Sequence, residues 1–221
     1  MNFLPEYAEL HCLSNFSFQR GASHPQELVQ RAHELGYAAL AITDECSVAG
    51  VVRAHAEAKK LGIKLLLGSE FALDGFRLVA LARNATGWGN LCEFISSTRR
   101  EAVKGEYLCS REASDFALLG ECEILLAPAQ DLPLEELCER VEWAQGLFRG
   151  RLWLAAELLL DGSDDLWLQV LQQASEATGV PLVAAGDVHM HARSRKPLQD
   201  VVTAVRVGRP GSACGFGLQA N

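Results

Sequence analysis

The sequence predicts an α/β fold with a parallel sheet that closes into a barrel, and three observations lead there. Gly36, Gly62 and Gly179 each stand eight residues ahead of a carboxylate, in ELGYAALAITD, KLGIKLLLGSE and ATGVPLVAAGD, which end on Asp44, Glu70 and Asp187. A helical pattern precedes each glycine, and in all about seven strands alternate with helices, the arrangement of a parallel sheet wound with crossover helices. No G-x-G-x-x-G or Walker A pattern follows any strand, which removes the usual phosphate-binding reason for an open sheet.

Tyr7–Leu10 reads as the first strand. In SHPQELVQRAHELG, Ser23 is placed to cap a helix, Pro25 suits its first turn, and Leu28, Val29, Ala32 and Leu35 form an apolar stripe. Gly36 suits the left-handed position just past that helix, and the apolar run behind it reads as a buried parallel strand ending at Asp44. Val48–Leu61 repeats the helical character, and Gly62 opens a strand that ends at Glu70. Further strands are expected at Arg77–Ala82, Glu123–Ala127 and Arg151–Leu158, with helices near Gly89–Thr98 and Leu134–Leu147. Asp164–Thr178 is a helix that hands over at Gly179 to the strand before Asp187, and Leu198–Val207 is the last helix. His11, Asp44, Glu70 and Asp187 with His189 all fall just after strands, the end at which such barrels build their sites, so four strands would converge on one polar pocket.

The stretch GDVHMH, residues 186–191, sets Asp187, His189 and His191 at alternate positions, which share one face if the strand continues. Asp and His are ordinary zinc or manganese ligands, but a polar strand end whose carboxylate caps a turn produces the same letters. A cluster of His11, Asp44, Glu45, Glu70, Asp187 and His189 would suit metal-assisted hydrolysis of a phosphate ester. Asp or Glu as helix caps and a hydrogen-bonded structural His are the plain alternatives, and convergence of several strands favours the functional one.

At 221 residues and 49% hydrophobic, the chain is long enough for one substantial core, residues 1–221 as a single domain. A net charge of −8 argues against a surface built to neutralise phosphates, although a local basic groove remains compatible with it. Cys12, Cys46, Cys92, Cys109, Cys122, Cys138 and Cys214 form no C-x-x-C pair and sit mostly in apolar segments, as reduced thiols of a cytoplasmic protein would. No apolar run reaches the length of a membrane span, and the first twenty residues lack the pattern of an export signal. The ending CGFGLQAN suits either a natural terminus or a piece of a longer chain.

Taken in order, ELHCLSNFSFQRGAS, ALAITDECSVAGVV, LLLGSEF, LVALARNATGWGNL and VPLVAAGDVHMH resemble the polymerase and histidinol phosphatase (PHP) domain over nearly the whole chain. In detail they are most similar to the N-terminal domain of bacterial error-prone DNA polymerases, relatives of the DNA polymerase III alpha subunit. The resemblance implies a distorted seven-stranded, TIM-like (β/α)7 barrel whose active members hold up to three metals and hydrolyse phosphoesters, including DNA 3′ ends.

This sequence departs from that pattern. Active members begin with His-x-His and an Asp further on, where this chain has His11, Leu13 and Arg20; Thr-Asp-His becomes Thr43-Asp44-Glu45; and Arg77 stands where a His precedes the strand of LVALARN. The Cys expected after Leu126 is absent. His11, Glu70, Asp187 and His189 match the family's ligands, with Glu45 as a substitute for a lost one. Arg20 and Arg77, together with Asp44, are expected as charge partners in the pocket, guanidinium groups standing where metals were. No catalytic residue and no cofactor are then expected, zinc or manganese entering only if the vestigial site works.

The resemblance implies a structural and interaction domain within an error-prone polymerase used in DNA damage-induced, mutagenic translesion synthesis. Its partners would be the remainder of the polymerase chain, DNA through the full-length parent, translesion-synthesis proteins, and no membrane. Polymerase activity would belong to the parent, since palm, fingers and thumb are absent here. The alternative is a metal-dependent phosphoesterase or 3′–5′ exonuclease of the PHP family, against which the loss of ligands and the acidic balance both weigh.

Overall fold

The computed structural model describes residues 6–160 and 162–214, so the ending 215–221 lies outside the described residues. Seven strands form one sheet in chain order: β1 (Ala8–Glu9), β2 (Ala39–Ile42), β3 (Lys64–Leu73), β4 (Phe76–Ala82), β5 (Cys122–Pro128), β6 (Leu152–Glu157) and β7 (Leu182–Ala185). The helices are α1 (Pro25–Glu34), α2 (Val51–Leu61), α3 (Ala85–Arg100), α4 (Leu134–Leu147), α5 (Asp164–Thr178) and α6 (Lys196–Val207). The sheet curls until its first and last strands meet. Val188 N–H donates to His11 O at 2.9 Å and Leu13 N–H to Val188 O at 2.8 Å, just beyond β1 and β7. The buried Glu9 carboxylate reinforces that seam, because one oxygen accepts from His11 N–H and Gly186 N–H, both at 2.9 Å. The result is a nearly closed barrel.

The expectation of a wholly parallel core is corrected at β4, which runs antiparallel to both β3 and β5. Leu73 pairs with Phe76, so the connection is the two residues Asp74-Gly75, with Gly75 at φ +79°. A two-residue turn can only return the chain antiparallel, since a parallel partner needs a crossover of a dozen or more residues. Asp-Gly between apolar runs is a strong hairpin signal in its own right. The other four pairings, β1·β2, β2·β3, β5·β6 and β6·β7, are parallel.

Gly36, Gly62 and Gly179 take φ of +72°, +74° and +72° at the ends of α1, α2 and α5, the left-handed step that turns each helix into its strand. Ser23 does not cap α1. Glu27 accepts from the His24 N–H at 2.8 Å, and the Ser23 hydroxyl instead accepts from His191 N–H at 2.9 Å. Helix α2 starts at Val51 rather than Val48, whereas α3 reaches back to Ala85 because the Asn84 side chain accepts from Gly87 N–H at 2.9 Å.

Alternation along the strands sorts side chains between two environments. Ala41, Val79, Leu125, Ala127, Ala155 and Ala185, with Leu10, Leu66 and Val183, fill the barrel interior. The outward set packs under helices: Leu40 and Ile42 against α1 and α2, and Phe71, Leu78, Ile124, Leu126 and Leu154 against Phe94, Leu137, Phe148 and Leu171. Burying each of these large side chains contributes roughly 1.5–3 kcal/mol over leaving it exposed. Among the described residues, no helix is long and apolar enough to cross a membrane.

Candidate functional site

One step along the barrel from Ala155 and Ala185, the inward positions change from apolar to charged. Two residues beyond each stand Glu157 and Asp187, and Glu70 is the register partner of Val79. Arg77 joins them from the opposite direction, at the start of the reversed strand β4. The same period of two that packs the interior therefore also delivers the cluster. Glu70 is not just past its strand as expected but inside it, because β3 continues to Leu73 and the hairpin.

His11 is the hub. Its Nε2 lies 2.5 Å from Glu70 Oε2 and its Nδ1 2.6 Å from Glu157 Oε1, with Asp187 Oδ1 at 3.8 Å. Burial opposes charge on the ring, but Glu157, Glu70 and Asp187 prevail and hold its pKa well above the usual histidine value. The imidazolium can then donate to a carboxylate from each nitrogen.

Arg20 enters on the loop after β1, its side chain 5% exposed. Nη1 donates to Glu45 Oε2 at 2.8 Å and also to Glu70 Oε1, while Nη2 is buried with no hydrogen-bond partner. Arg77 is looser, 3.6 Å from Glu70 and 3.7 Å from Asp187. Burial alone would raise the Glu70 pKa, yet Arg20, His11 and Arg77 hold it down to about 2. Asp187, also penalised by burial, is kept well below the usual carboxylate range by His189, His11 and Arg77. His189 bridges outward, Nε2 to Asp187 Oδ1 at 3.0 Å and Nδ1 to Arg20 O at 3.2 Å.

His11, Glu70, Asp187, His189, Glu45, Arg20 and Arg77 are thus brought together. Asp44 has a different task from the charge partner expected of it. Its carboxylate accepts from Ser14 N–H at 2.8 Å, Ser17 Oγ at 2.7 Å and Ser14 Oγ at 2.8 Å, tying the loop that carries Arg20 to the end of β2. Burial pushes its pKa up despite those bonds. His191 joins Ser23 Oγ through Nδ1 at 2.8 Å. Leu13 is fully buried and contributes no donor atom.

The sequence reading missed Glu157, Glu9, Tyr107 and Arg206. Glu157 had a legible signal: Gly150 (φ +76°) follows α4 and precedes Glu157 by seven residues, so β6 is a fourth unit of the glycine-to-carboxylate repeat with one residue fewer. Tyr107 Oη donates to Glu45 Oε1 at 2.8 Å from the long connection after α3, which no periodicity places. Arg206 of α6 is near enough that burial and then Arg20 lower its pKa, with Arg77 acting the same way.

His11, Glu70 and Asp187 can each offer an atom within 4.8 Å of the others, a candidate three-ligand metal cluster. Fold and site together define an α/β barrel with a His-carboxylate-arginine cluster at the end of its interior. Solved structures share the fold. An amidohydrolase from Chromobacterium violaceum, with sulfate bound and no metal, superimposes with a TM-score of 0.66 at 18% identity, over 83% of this chain and 88% of that one. A Bifidobacterium adolescentis protein described as a candidate metal-dependent phosphoesterase gives 0.56 at 16% identity, over 84% and 88%.

The family model described as PHP domain matches residues 9–154, and the chain belongs to that family. It is also 55% identical to the error-prone DNA polymerase of Methylococcus capsulatus, over 97% of this chain and 20% of the relative. Against the Bordetella parapertussis error-prone DNA polymerase it is 48% identical, over 99% of this chain and 22% of the relative. The chain thus spans about a fifth of the length of these curated relatives.

Proposed function

We propose that residues 1–221 form the PHP domain of an error-prone DNA polymerase acting in DNA damage-induced translesion synthesis in the cytoplasm, and that its role there is structural rather than catalytic. The contact carrying this reading is the buried Arg20 guanidinium between Glu45 and Glu70. Tested against a metal, the donor set does not fit. Both His11 nitrogens face carboxylates, Glu70 has one oxygen on His11 and the other on Arg20, and Leu13 is apolar. A divalent cation would have to displace fixed positive charge from the ligands it needs. The carboxylates are compensated by Arg20, Arg77 and His11 instead, which orders this end of the barrel without an ion. DNA and other translesion proteins are reached through the rest of the polymerase.

The test is elemental analysis of the purified chain together with turnover assays on a phosphomonoester and on 3′-labelled DNA, with manganese or zinc added. The expected result is substoichiometric metal and no turnover. The three-atom cluster of His11, Glu70 and Asp187 favours the second reading, a metal-dependent phosphoesterase or 3′–5′ exonuclease. Stoichiometric metal, with turnover abolished by Asp187→Ala, would establish that reading and overturn the first.

A further inference from the structure

Helix α6 is amphipathic with its faces reversed. Its buried residues are Gln199 and Thr203, and the Gln199 amide donates to Arg20 O at 2.6 Å. That bond sets the buried polar face of the helix against the loop that carries Arg20. The opposite face carries Leu198, Val201 and Val205, 43%, 59% and 59% exposed, at the i, i+3, i+7 spacing of an apolar stripe. Val201, Ala204 and Val205 continue into a groove of about 460 Å³ walled by Gly208–Gly211. A helix on a self-sufficient domain turns such a stripe to the core; here the core side is occupied by polar chemistry.

We infer that the outer face of α6, through Leu198, Val201 and Val205, is the seam against which the rest of the polymerase polypeptide packs. This rests on the function proposed above. Relatives match 97% of this chain with only 20% of their own length, which leaves about four fifths of a polymerase polypeptide to be accommodated. Helix α6 also lies beyond residue 154, outside the span matched by the family model. A second copy is the poorer occupant, because a net charge of −8 on each opposes self-association.

The test measures thiol labelling, read by peptide mass spectrometry, at Val201→Cys and Val205→Cys, with Val52→Cys on α2 as an exposed control. Rates are compared in this chain alone and in a chimera where it replaces the matching segment of the Methylococcus capsulatus polymerase. Both α6 sites should label on the order of tenfold more slowly in the chimera, with Val52→Cys unchanged. Equal α6 rates in a chimera that synthesises DNA would overturn the seam while leaving the proposed function intact. A chimera that folds but cannot synthesise DNA would count against the proposed function, and the seam would fall with it. Protection already present in the isolated chain and rising with concentration would replace the seam with a dimer. Val201→Asp/Val205→Asp should leave the urea midpoint of the isolated chain unchanged and make trypsin release the domain faster from the chimera; no change in release would contradict the seam.

Discussion

Removing the Arg20 guanidinium is the sharpest perturbation of the charge cluster. In Arg20→Met the fully buried Glu70 loses its strongest cationic partner, and Glu45 loses a bond of 2.8 Å. Lowering the Glu70 pKa from 4.5 to about 2 corresponds to about 3 kcal/mol at 1.36 kcal/mol per pKa unit, in line with the 3–5 kcal/mol typical of orphaning a buried charge. Against that loss, the substitution removes the unpartnered Nη2, whose burial costs about 1–3 kcal/mol. The net expectation is destabilisation by about 1 kcal/mol. In urea, followed by tryptophan fluorescence, that lowers the midpoint by about 0.5 M for a slope near 2 kcal/mol per M. Arg20→Met/Glu70→Gln should recover most of it, because no charge is then left without its partner. Saturating zinc or manganese should leave the parent midpoint where it is, whereas metal at a hundred times its Kd would add about 2.7 kcal/mol. A midpoint unchanged by Arg20→Met, or a parent stabilised by metal, would refute the reasoning.

Four further outcomes are expected. Glu70 has a folded pKa below its unfolded one, so its contribution is present above pH 4.5 and lost as pH falls toward about 2; the stability gap between parent and Glu70→Gln should close across that window in acid-urea titrations. His11 runs the other way: raised above 6.5, it contributes fully below that pH and loses the contribution as pH rises through its folded value, so parent and His11→Gln should converge in alkali. At Gly62 and Gly179 an added Cβ meets nothing within 4 Å, so alanine should cost only the left-handed backbone strain, about 1 kcal/mol each. At Gly87 an added Cβ would sit 2.1 Å from Glu121 O, so alanine there should cost clearly more, and equal melting temperatures for all three variants would contradict the packing. All seven cysteines are free, and Cys12, Cys46 and Cys122 are buried, so a thiol titration should count seven groups after unfolding and fewer fast-reacting ones before it.

Much of the fold was legible because two local rules act at every repeat. A glycine is readily accepted in the left-handed step past a helix, and an apolar run of strand length between turns cannot stay in water. Those rules located every strand and set His11 and Asp187 just past strand ends, while Glu70 lies inside β3 because that strand runs on to Leu73. The rules also contained Glu157, hidden by a spacing of seven rather than eight, and β4, whose Asp74-Gly75 turn spells antiparallel. Reading β4 as one more parallel strand set aside that turn chemistry in favour of the repeat.

What the sequence determined by itself was periodicity: which positions face inward, where helices yield to strands, and which ionisable groups stand at strand ends. Pairing was decided only in three dimensions. Asp44 and Glu70 occupy equivalent places in the repeat, yet Asp44 is claimed by the hydroxyls of Ser14 and Ser17 and Glu70 by Arg20 and His11. The loop that carries Arg20 and the turned-over helix α6 are placed by contacts between residues as far apart as Arg20 and Gln199. Spacing along a chain specifies direction from the local backbone, whereas the partner of a buried charge depends on which strands the closing barrel brings together.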